Sequence, residues 1–412
     1  MTPPVAAAPA RRRNVSAVAM LLALVAGFSL SQAYRTVAAI LAVPLQNEWN
    51  LSPQQLGLFA GMFHLAFGSM QMFMGIGIDL HGVRRTILTA FPLAIVGSGL
   101  AAWAPSYPWL LAAQVLIGMG CAPAFLVCTV FIARRFPTER FASLSGFAMG
   151  LGGLGMLFTG TPLASLVQAS SWRMGFVVLG LAAMAAWAIM AWLVHDRPEP
   201  GAAGAESLGQ AIRRFGDLLL LRHTWGIVAL ALVSYACFIA LRGLWLGPLL
   251  VQRHGFSLLQ SGHVATAVSV TALVGPLLFG RLDPGVLRRP WIVAFSLVLA
   301  VFYLLMAFLG SVWLDVAVPV LLGCLSGYVV WQYADVRAAY PKAITGRAMA
   351  VFTMAMFLGV AWVQWLTGAL ASWASSLGWD PYAAVLGGLA LLMVAGAAAF
   401  AWLPQPPAQQ PA

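Results

Sequence analysis

Two arginines stand inside long apolar stretches of this 412-residue chain. Arg35 lies in Tyr34-Arg35-Thr36, within a run over about 15–45 that holds no other charge. Arg242 lies in Leu241-Arg242-Gly243-Leu244-Trp245, within a similar run over about 225–251. A cation in hydrocarbon is costly, and such charges usually face a cavity and serve function. A guanidinium is a planar, forked donor that suits a carboxylate or phosphate. Both arginines lie about 10 residues from the outer ends of their runs, which at ~1.5 Å rise per residue is ~15 Å deep, near mid-membrane. They should therefore converge on one cavity and share an anion there. The alternative is structural: each pairs with a carboxylate or with helix carbonyls, although no Asp or Glu sits at matching depth in these runs.

Other residues join as candidates for lining the same space. His64, in the second run, has the same depth and could bind substrate or take a proton near neutral pH, or be a hydrogen-bonded structural histidine. Gln71 follows seven residues later on the same helical face. Tyr34 and Trp245 neighbour the two arginines. Tyr328 and Gln332 belong to a polar-aromatic stripe in the tenth run, which ends in Asp335, expected to pair with Arg337 or another loop cation. Gln364 and Trp365 are weaker candidates for the lining. No hydrolase, zinc or P-loop pattern occurs, and no catalytic residue, metal or cofactor is expected. Cys121, Cys128, Cys237 and Cys324 all fall in apolar runs and read as free thiols.

These residues are carried by a chain that is 61% hydrophobic and 8% charged, a balance that excludes a soluble domain of this length. Twelve apolar runs can be drawn, with turn signals such as Ala104-Pro105-Ser106-Tyr107-Pro108 between them. The stretch from His195 to His223 is the one linker, and part of it, 208–221, could form a short interfacial helix. The net charge of +11 comes from short basic clusters between runs, which orient a membrane protein and do not signal nucleic acid. With the N-terminus inside, 18 of the 22 basic residues are cytoplasmic. Arg11-Arg12-Arg13 precedes a run too long for a signal-peptide core, so an uncleaved first span is expected.

The two halves repeat. Ser52-Pro53-Gln54-Gln55-Leu56-Gly57 matches Ser257-Leu258-Leu259-Gln260-Ser261-Gly262. Gly75, Asp79 and Arg84-Arg85 match Gly280, Asp283 and Arg288-Arg289, and Phe136-Pro137 matches Tyr340-Pro341. The offset stays between 204 and 207 throughout, which includes the spacing of Arg35 and Arg242. Two parallel six-span halves with a site between them describe a transporter.

At these residues the chain resembles the major facilitator superfamily. Gly75-Ile-Gly-Ile-Asp79-Leu-His-Gly82-Val-Arg84-Arg85 is similar to the signature loop between its second and third spans. Gly118 and Gly120 resemble a second motif, whose usual arginine is Gln114 here. The resemblance implies an all-α integral membrane fold of twelve helices in two pseudo-symmetric six-helix bundles. It also implies that Gly75, Asp79, Gly82, Arg84, Arg85 and Arg140 belong to a cytoplasmic charge network that breaks on conformational switching. Paired arginines in spans 1 and 7 resemble the organophosphate and organic-anion branch, in which they bind the anionic group between the halves.

The expected layout is a cytoplasmic tail over 1–14, a bundle over 15–194, a linker over 195–224, a second bundle over 225–403 and a cytoplasmic tail over 404–412. The expected function is secondary active transport of a small organic anion by alternating access, with substrate bound by Arg35, Arg242, Tyr34, His64, Gln71, Trp245, Tyr328 and Gln332. Expected partners are that anion, membrane lipid, and a proton, other coupling ion or counter-substrate. The functional unit is read as a monomer in a bacterial cytoplasmic membrane. An exporter of amphiphilic compounds is the alternative, with a transporter-like receptor behind it.

Overall fold

A computed structural model of the chain describes residues 16–137, 140–196 and 216–404, apart from the side chains at positions 79, 141, 142, 342 and 343. Twelve helices in it are long and apolar enough to cross a membrane. The N-terminal six are α1 (Ala17–Thr36), α2 (Pro53–Ile78), α3 (Leu80–Trp103), α4 (Tyr107–Arg135), α5 (Ser143–Ala169) and α6 (Trp172–Leu193). The C-terminal six are α7 (Arg222–Arg253), α8 (Leu258–Arg281), α9 (Gly285–Leu309), α10 (Val312–Ala339), α11 (Ile344–Ser376) and α12 (Pro381–Trp402). Past a turn at Val37, α1 is carried on by the helix Ala38–Trp49. Most of the expected interfacial helix falls outside the described residues; 216–219 are helical.

The repeated Ser-x-x-Gln acquires a physical meaning. In both copies it is a capping box: Ser52 Oγ accepts from Gln55 N and Gln55 Oε1 from Ser52 N, and Ser257 and Gln260 do the same for α8. The box satisfies N–H groups that no helical turn can reach. The glycine two residues on in each copy then marks a close helix contact. A β-carbon at Gly57 would collide with the Gln364 carbonyl of α11, and one at Gly262 would sit 2.7 Å from the Ala164 β-carbon of α5.

A second duplicated device ties the first span of each half to its sixth. In the N-terminal half Glu48 pairs with Arg173 at 2.7 Å and accepts from the Trp172 indole. In the C-terminal half Arg253 pairs with Asp380 at 3.0 Å and with the fully buried Asp315 at 3.1 Å, and His254 Nε2 lies 2.7 Å from the same Asp315 oxygen. Glu48 and Arg253 are 205 positions apart, and Arg173 and Asp380 are 207 apart. The tie is therefore one feature present twice, with the charges exchanged.

The halves meet along two seams. On one, α2 presents Gly57, Gly61 and Gly68 to α11, and Gln54 N donates to Ser372 Oγ at 3.0 Å. On the other, α5 meets α8, where Thr161 N donates to Thr266 Oγ1 at 2.9 Å and Thr161 Oγ1 lies 2.9 Å from His263 Nδ1. Between the seams Gln252 donates to Gln46 Oε1 at 2.7 Å, and a polar cleft of about 590 Å³ opens beside that bond. Apart from the Gly68 contact, which lies deeper, this is the end of the molecule away from the arginine-rich loops. Toward those loops, Gly146, Gly150, Gly280 and Gly346 have no atom within 4 Å of where a β-carbon would be. The hydrogen bonds named here between the halves thus gather at the end away from the arginine-rich loops.

The signature stretch is not an open loop. Helix runs from Pro53 to Ala90 and turns only at Gly82, whose φ of 83° disfavours any residue with a β-carbon. A β-carbon there would also meet the Asp196 carboxylate. That carboxylate accepts from Arg84 N at 3.2 and 3.1 Å, which caps the start of α3 with a negative charge.

Candidate functional site

Arg35 is held at a break in α1. It occupies the last turn before Val37, where the helix is interrupted. Arg242 stands at the equivalent place in α7, inside a π-helical turn over Leu241–Trp245. Such bulges shift the register of a helix and often accompany functional sites. The backbones meet here, because a β-carbon at Gly243 would lie 3.4 Å from the Arg35 carbonyl oxygen.

The guanidinium groups do not converge as the sequence suggested. Arg35 turns toward α2 and α11, packing its guanidinium carbon 4.6 Å from the Phe67 ring centroid and 4.5 Å from that of Phe357. Arg242 turns the other way, toward α8 and α5. Its Nε and Nη2 donate to Ser269 Oγ at 3.2 and 2.9 Å, and Nη2 also reaches the Met156 carbonyl at 3.3 Å. Two like charges in low dielectric repel, and each has found its own neutral partners. The arrangement follows the duplication: each arginine contacts the next span of its own half and one span of the other.

Both arginines are buried, Arg35 at 7% exposure and Arg242 at 1%. Neither has a carboxylate partner among the described residues. The buried carboxylates among the described residues are Asp315, in the tie above, and Asp335. Asp335 pairs with Arg289 rather than Arg337, accepting from Nε at 3.0 and 3.1 Å. Arg35 Nε and Arg242 Nη1 are left buried with no hydrogen-bond partner. Leaving such a donor unmade costs on the order of 1–3 kcal/mol, and more for a charged group.

His64 joins Arg35. It is fully buried, its Nδ1 lies 3.1 Å from the Ala60 carbonyl oxygen, and Arg35 and the Gln364 side chain are its polar neighbours. Gln364 sits where α2, α7 and α11 meet, with its amide beside the His64 imidazole. The remaining sequence candidates are elsewhere. Tyr34, about 100° around the helix from Arg35, faces its own bundle and lies 2.5 Å from Ser98 Oγ. Tyr328 and Gln332 face the interior of the C-terminal bundle, where Tyr328 bonds Ser296 at 3.0 Å and Gln332 accepts from Ser234 at 2.9 Å. Trp245 donates to Thr367 Oγ1 at 2.9 Å within that bundle. Gln71 bridges α2 to the Ala122 carbonyl of α4 at 3.1 Å. Phe67, Phe357, Ser269 and Met156 were not singled out by sequence. Rings and backbone carbonyls carry no signal that separates them from ordinary core.

At the arginine-rich end, Arg84 donates to the Ala191 carbonyl at 3.0 Å and Arg135 to the His195 carbonyl at 2.6 Å, joining α3 and α4 to the end of α6. Arg85 and Arg140 are exposed, and Gly75 has only Leu126 nearby. The Asp79 side chain lies outside the described residues. In the second half Arg288 bonds Asp283 at 2.6 Å and holds its carboxyl below the usual carboxylate range.

The model of the Major Facilitator Superfamily matches residues 20–363. The chain belongs to that superfamily. It is 25% identical over 242 residues to the hexuronate transporter of Bacillus subtilis, covering 57% of this chain and 56% of the relative. It is 24% identical to the probable sulfoacetate transporter SauU of Cupriavidus necator, covering 62% of each. To the D-galactonate transporter of Escherichia coli it is 23% identical, covering 95% of this chain and 97% of the relative. The match thus spans about three fifths of the first two relatives and nearly all of the third. Among solved structures, a D-xylose–proton symporter superposes with a TM-score of 0.71 at 18% identity, over 91% of this chain and 97% of that one. A bacterial homolog of the human lysosomal transporter Spinster, inward-facing and occupied, gives 0.68 at 19% identity over 92% and 94%. These likenesses show the superfamily fold. As a superfamily member with twelve helices among its described residues that are long and apolar enough to cross a membrane, the chain is a multi-pass membrane protein.

Proposed function

We propose that this transporter moves a small organic anion by alternating access, and that Arg35 and Arg242 bind its anionic group from the two sides of the interface. The observation that carries the reading is the pair of buried guanidiniums with donors left unmade and no carboxylate among the described residues to neutralise them. An anion between the halves would supply the missing acceptors and offset the repulsion. The names of the relatives, transporters of hexuronate, galactonate and sulfoacetate, support an anionic substrate.

Each arginine also spans the interface, Arg35 through Phe357 and Arg242 through the Met156 carbonyl. Binding an anion exchanges these cross-half contacts for contacts to substrate. Such differential contact is what a ligand needs to shift a two-state equilibrium. With the arginine-rich loops in the cytoplasm of a bacterium, the seams described would close the outer side of the transporter. An ion gradient or substrate exchange would drive the cycle.

Thermal stabilisation of the purified protein by a panel of mono- and dicarboxylates, sugar phosphates and inorganic anions tests this. A ligand that binds only the native state raises apparent stability by about 2.7 kcal/mol at a hundred times its dissociation constant. Stabilisation by one anion class, lost in Arg35→Ala and Arg242→Ala, is expected. Stabilisation by neutral or cationic amphiphiles alone would overturn the reading and favour an exporter.

A further inference from the structure

The tie at the end away from the arginine-rich loops differs between its two copies. In the N-terminal half Glu48 and Arg173 form the pair. In the C-terminal half the matching pair, Arg253 and Asp380, is joined by His254 and by the fully buried Asp315. At the offset of 205 these two correspond to Trp49 and Leu110, which carry no charge. A tie between the spans therefore needs neither. Holding an ion out of water is costly, so the added pair calls for a reason other than the tie.

The geometry of the addition is that of a titrating pair. An ionised carboxylate only accepts, so the proton of neutral His254 sits on Nε2, 2.7 Å from Asp315 Oδ2. Arg253 Nη1 donates to the same oxygen at 3.1 Å, while Oδ1 is buried with no hydrogen bond. Around the pair stand the Met306 carbonyl of α9, which accepts from Arg253, and Asp380 and Tyr382 at the start of α12. With the imidazole neutral, two carboxylates face one guanidinium, which leaves one negative charge in excess. A proton on His254 Nδ1 removes that excess. Histidine is the side chain that gains its charge between about pH 5 and 8.

The cluster is joined to the contact between the halves. Gln252 and Arg253 share the π-helical turn Leu249–Arg253. Gln252 donates across the interface to Gln46 Oε1 at 2.7 Å, and its own Oε1 accepts from the Tyr382 hydroxyl at 2.5 Å. The Tyr382 backbone N–H in turn donates to Asp380 Oδ1 at 2.9 Å. Parting Gln46 from Gln252 opens the polar cleft beside them onto this chain of bonds and brings water toward the cluster. Water screens the excess charge and weakens its hold on a proton.

We propose that His254 with Asp315 is a proton-binding site, and that the proton bound there strengthens the closed contact between the halves at this end. The site holds its proton more tightly when the halves are closed. By linkage, acid then favours the closed state and alkali releases it. The proposal stands apart from the two intramembrane arginines and from the nature of the substrate.

The test uses the purified full chain in detergent, with Cys121, Cys128, Cys237 and Cys324 replaced. Spin labels are placed at Ser170→Cys and Ser376→Cys, exposed positions of the two halves at this end. Their distance distribution, measured by double electron–electron resonance between about pH 5 and 8, gives the ratio of closed to open molecules. Acidification should raise that ratio by about fivefold or more. His254→Gln keeps a donor for Asp315 and cannot titrate, so its ratio should not change with pH. The double substitution His254→Trp/Asp315→Leu copies the N-terminal arrangement, serves where His254→Gln does not fold, and should also be flat. A ratio that stays constant or falls on acidification with His254 and Asp315 in place overturns the proposal. A pH dependence that persists in the variants overturns it too, and points to His263 of the α5–α8 seam instead.

Discussion

Alternating access requires that the seal described above open, and the glycines of α2 allow its strength to be adjusted. A β-carbon at Gly61 would stand 2.9 Å from the Ala361 oxygen, and ordinary contact begins at 3.4 Å, so Gly61→Ala demands about 0.5 Å of separation. The obstacle is backbone and cannot rotate away. Forcing a methyl into a packed contact costs about 1–3 kcal/mol. Only the sealed state bears that cost, because the seam parts when the opposite opening forms. The equilibrium should therefore shift away from the sealed state by roughly fivefold to more than a hundredfold, since every ~1.4 kcal/mol is a factor of ten. The assay is a cross-link between Gln46→Cys and Gln252→Cys, whose side chains are hydrogen-bonded at 2.7 Å across the interface. It uses a chain from which Cys121, Cys128, Cys237 and Cys324 have been removed. Disulfide formation should slow in proportion to the lost population. Gly346→Ala, on α11 but with no atom within 4 Å, is the control and should change nothing. An unchanged cross-linking rate in a folded Gly61→Ala protein would refute the seam as the seal.

Three further outcomes follow from particular contacts. Gly82→Ala combines a φ of 83° with a clash against Asp196, so it should lower thermal stability by about 1–2 kcal/mol or more, and Gly82→Ala/Asp196→Ala should recover only the clash. Asp315→Ala removes the buried partner of Arg253 and His254 and should destabilise the protein by about 3–5 kcal/mol in a denaturation experiment. Asp283 titrates below the ordinary carboxylate range because Arg288 bonds it, so its contribution is present at pH values above that range and is lost as pH falls through its depressed value. Arg288→Gln should move the Asp283 carboxyl back up in an NMR titration, and no movement would discount the pair.

What the sequence made legible was set by hydropathy and repetition. Twelve runs and a steady offset sufficed for the spans and the halves, because a membrane span needs little beyond length and apolarity. Arg35 and Arg242 stood out because charge within such runs is rare. The side chains' directions were not legible. The three-and-four spacing places Tyr328 and Gln332 on one face of α10 but does not tell whether that face looks into its own bundle or across the interface. Tyr34 shows the same limit. Asp196 was invisible for another reason: it lies past the end of α6 and acquires its role only where that end meets the start of α3. Gln364 was underrated because only packing shows that it stands beside His64 where α2, α7 and α11 meet.

The distribution of interactions argues for rigid halves that move against each other. The ion pairs Glu48–Arg173, Arg253–Asp315, Arg253–Asp380, Arg288–Asp283 and Arg289–Asp335 all fall within one half. Of these, Arg253–Asp315 and Arg289–Asp335 have a buried carboxylate, and removing one partner of a buried pair is expensive, so those two hold the C-terminal bundle in shape. Contacts that cross between halves are of a weaker kind: Gln46 with Gln252, Gln54 with Ser372, Thr161 with Thr266, and a glycine seam. Each neutral hydrogen bond contributes only about 0.5–1.5 kcal/mol, and water can replace it once the seam parts. Arg35 and Arg242 are the exceptions, charged groups that reach across. Their cross-half partners are a phenyl ring and a carbonyl oxygen, both weaker than an anion as counterparts for a guanidinium. On the reading proposed above, substrate would compete for these two contacts, which would tie the movement of the halves to occupancy of the site.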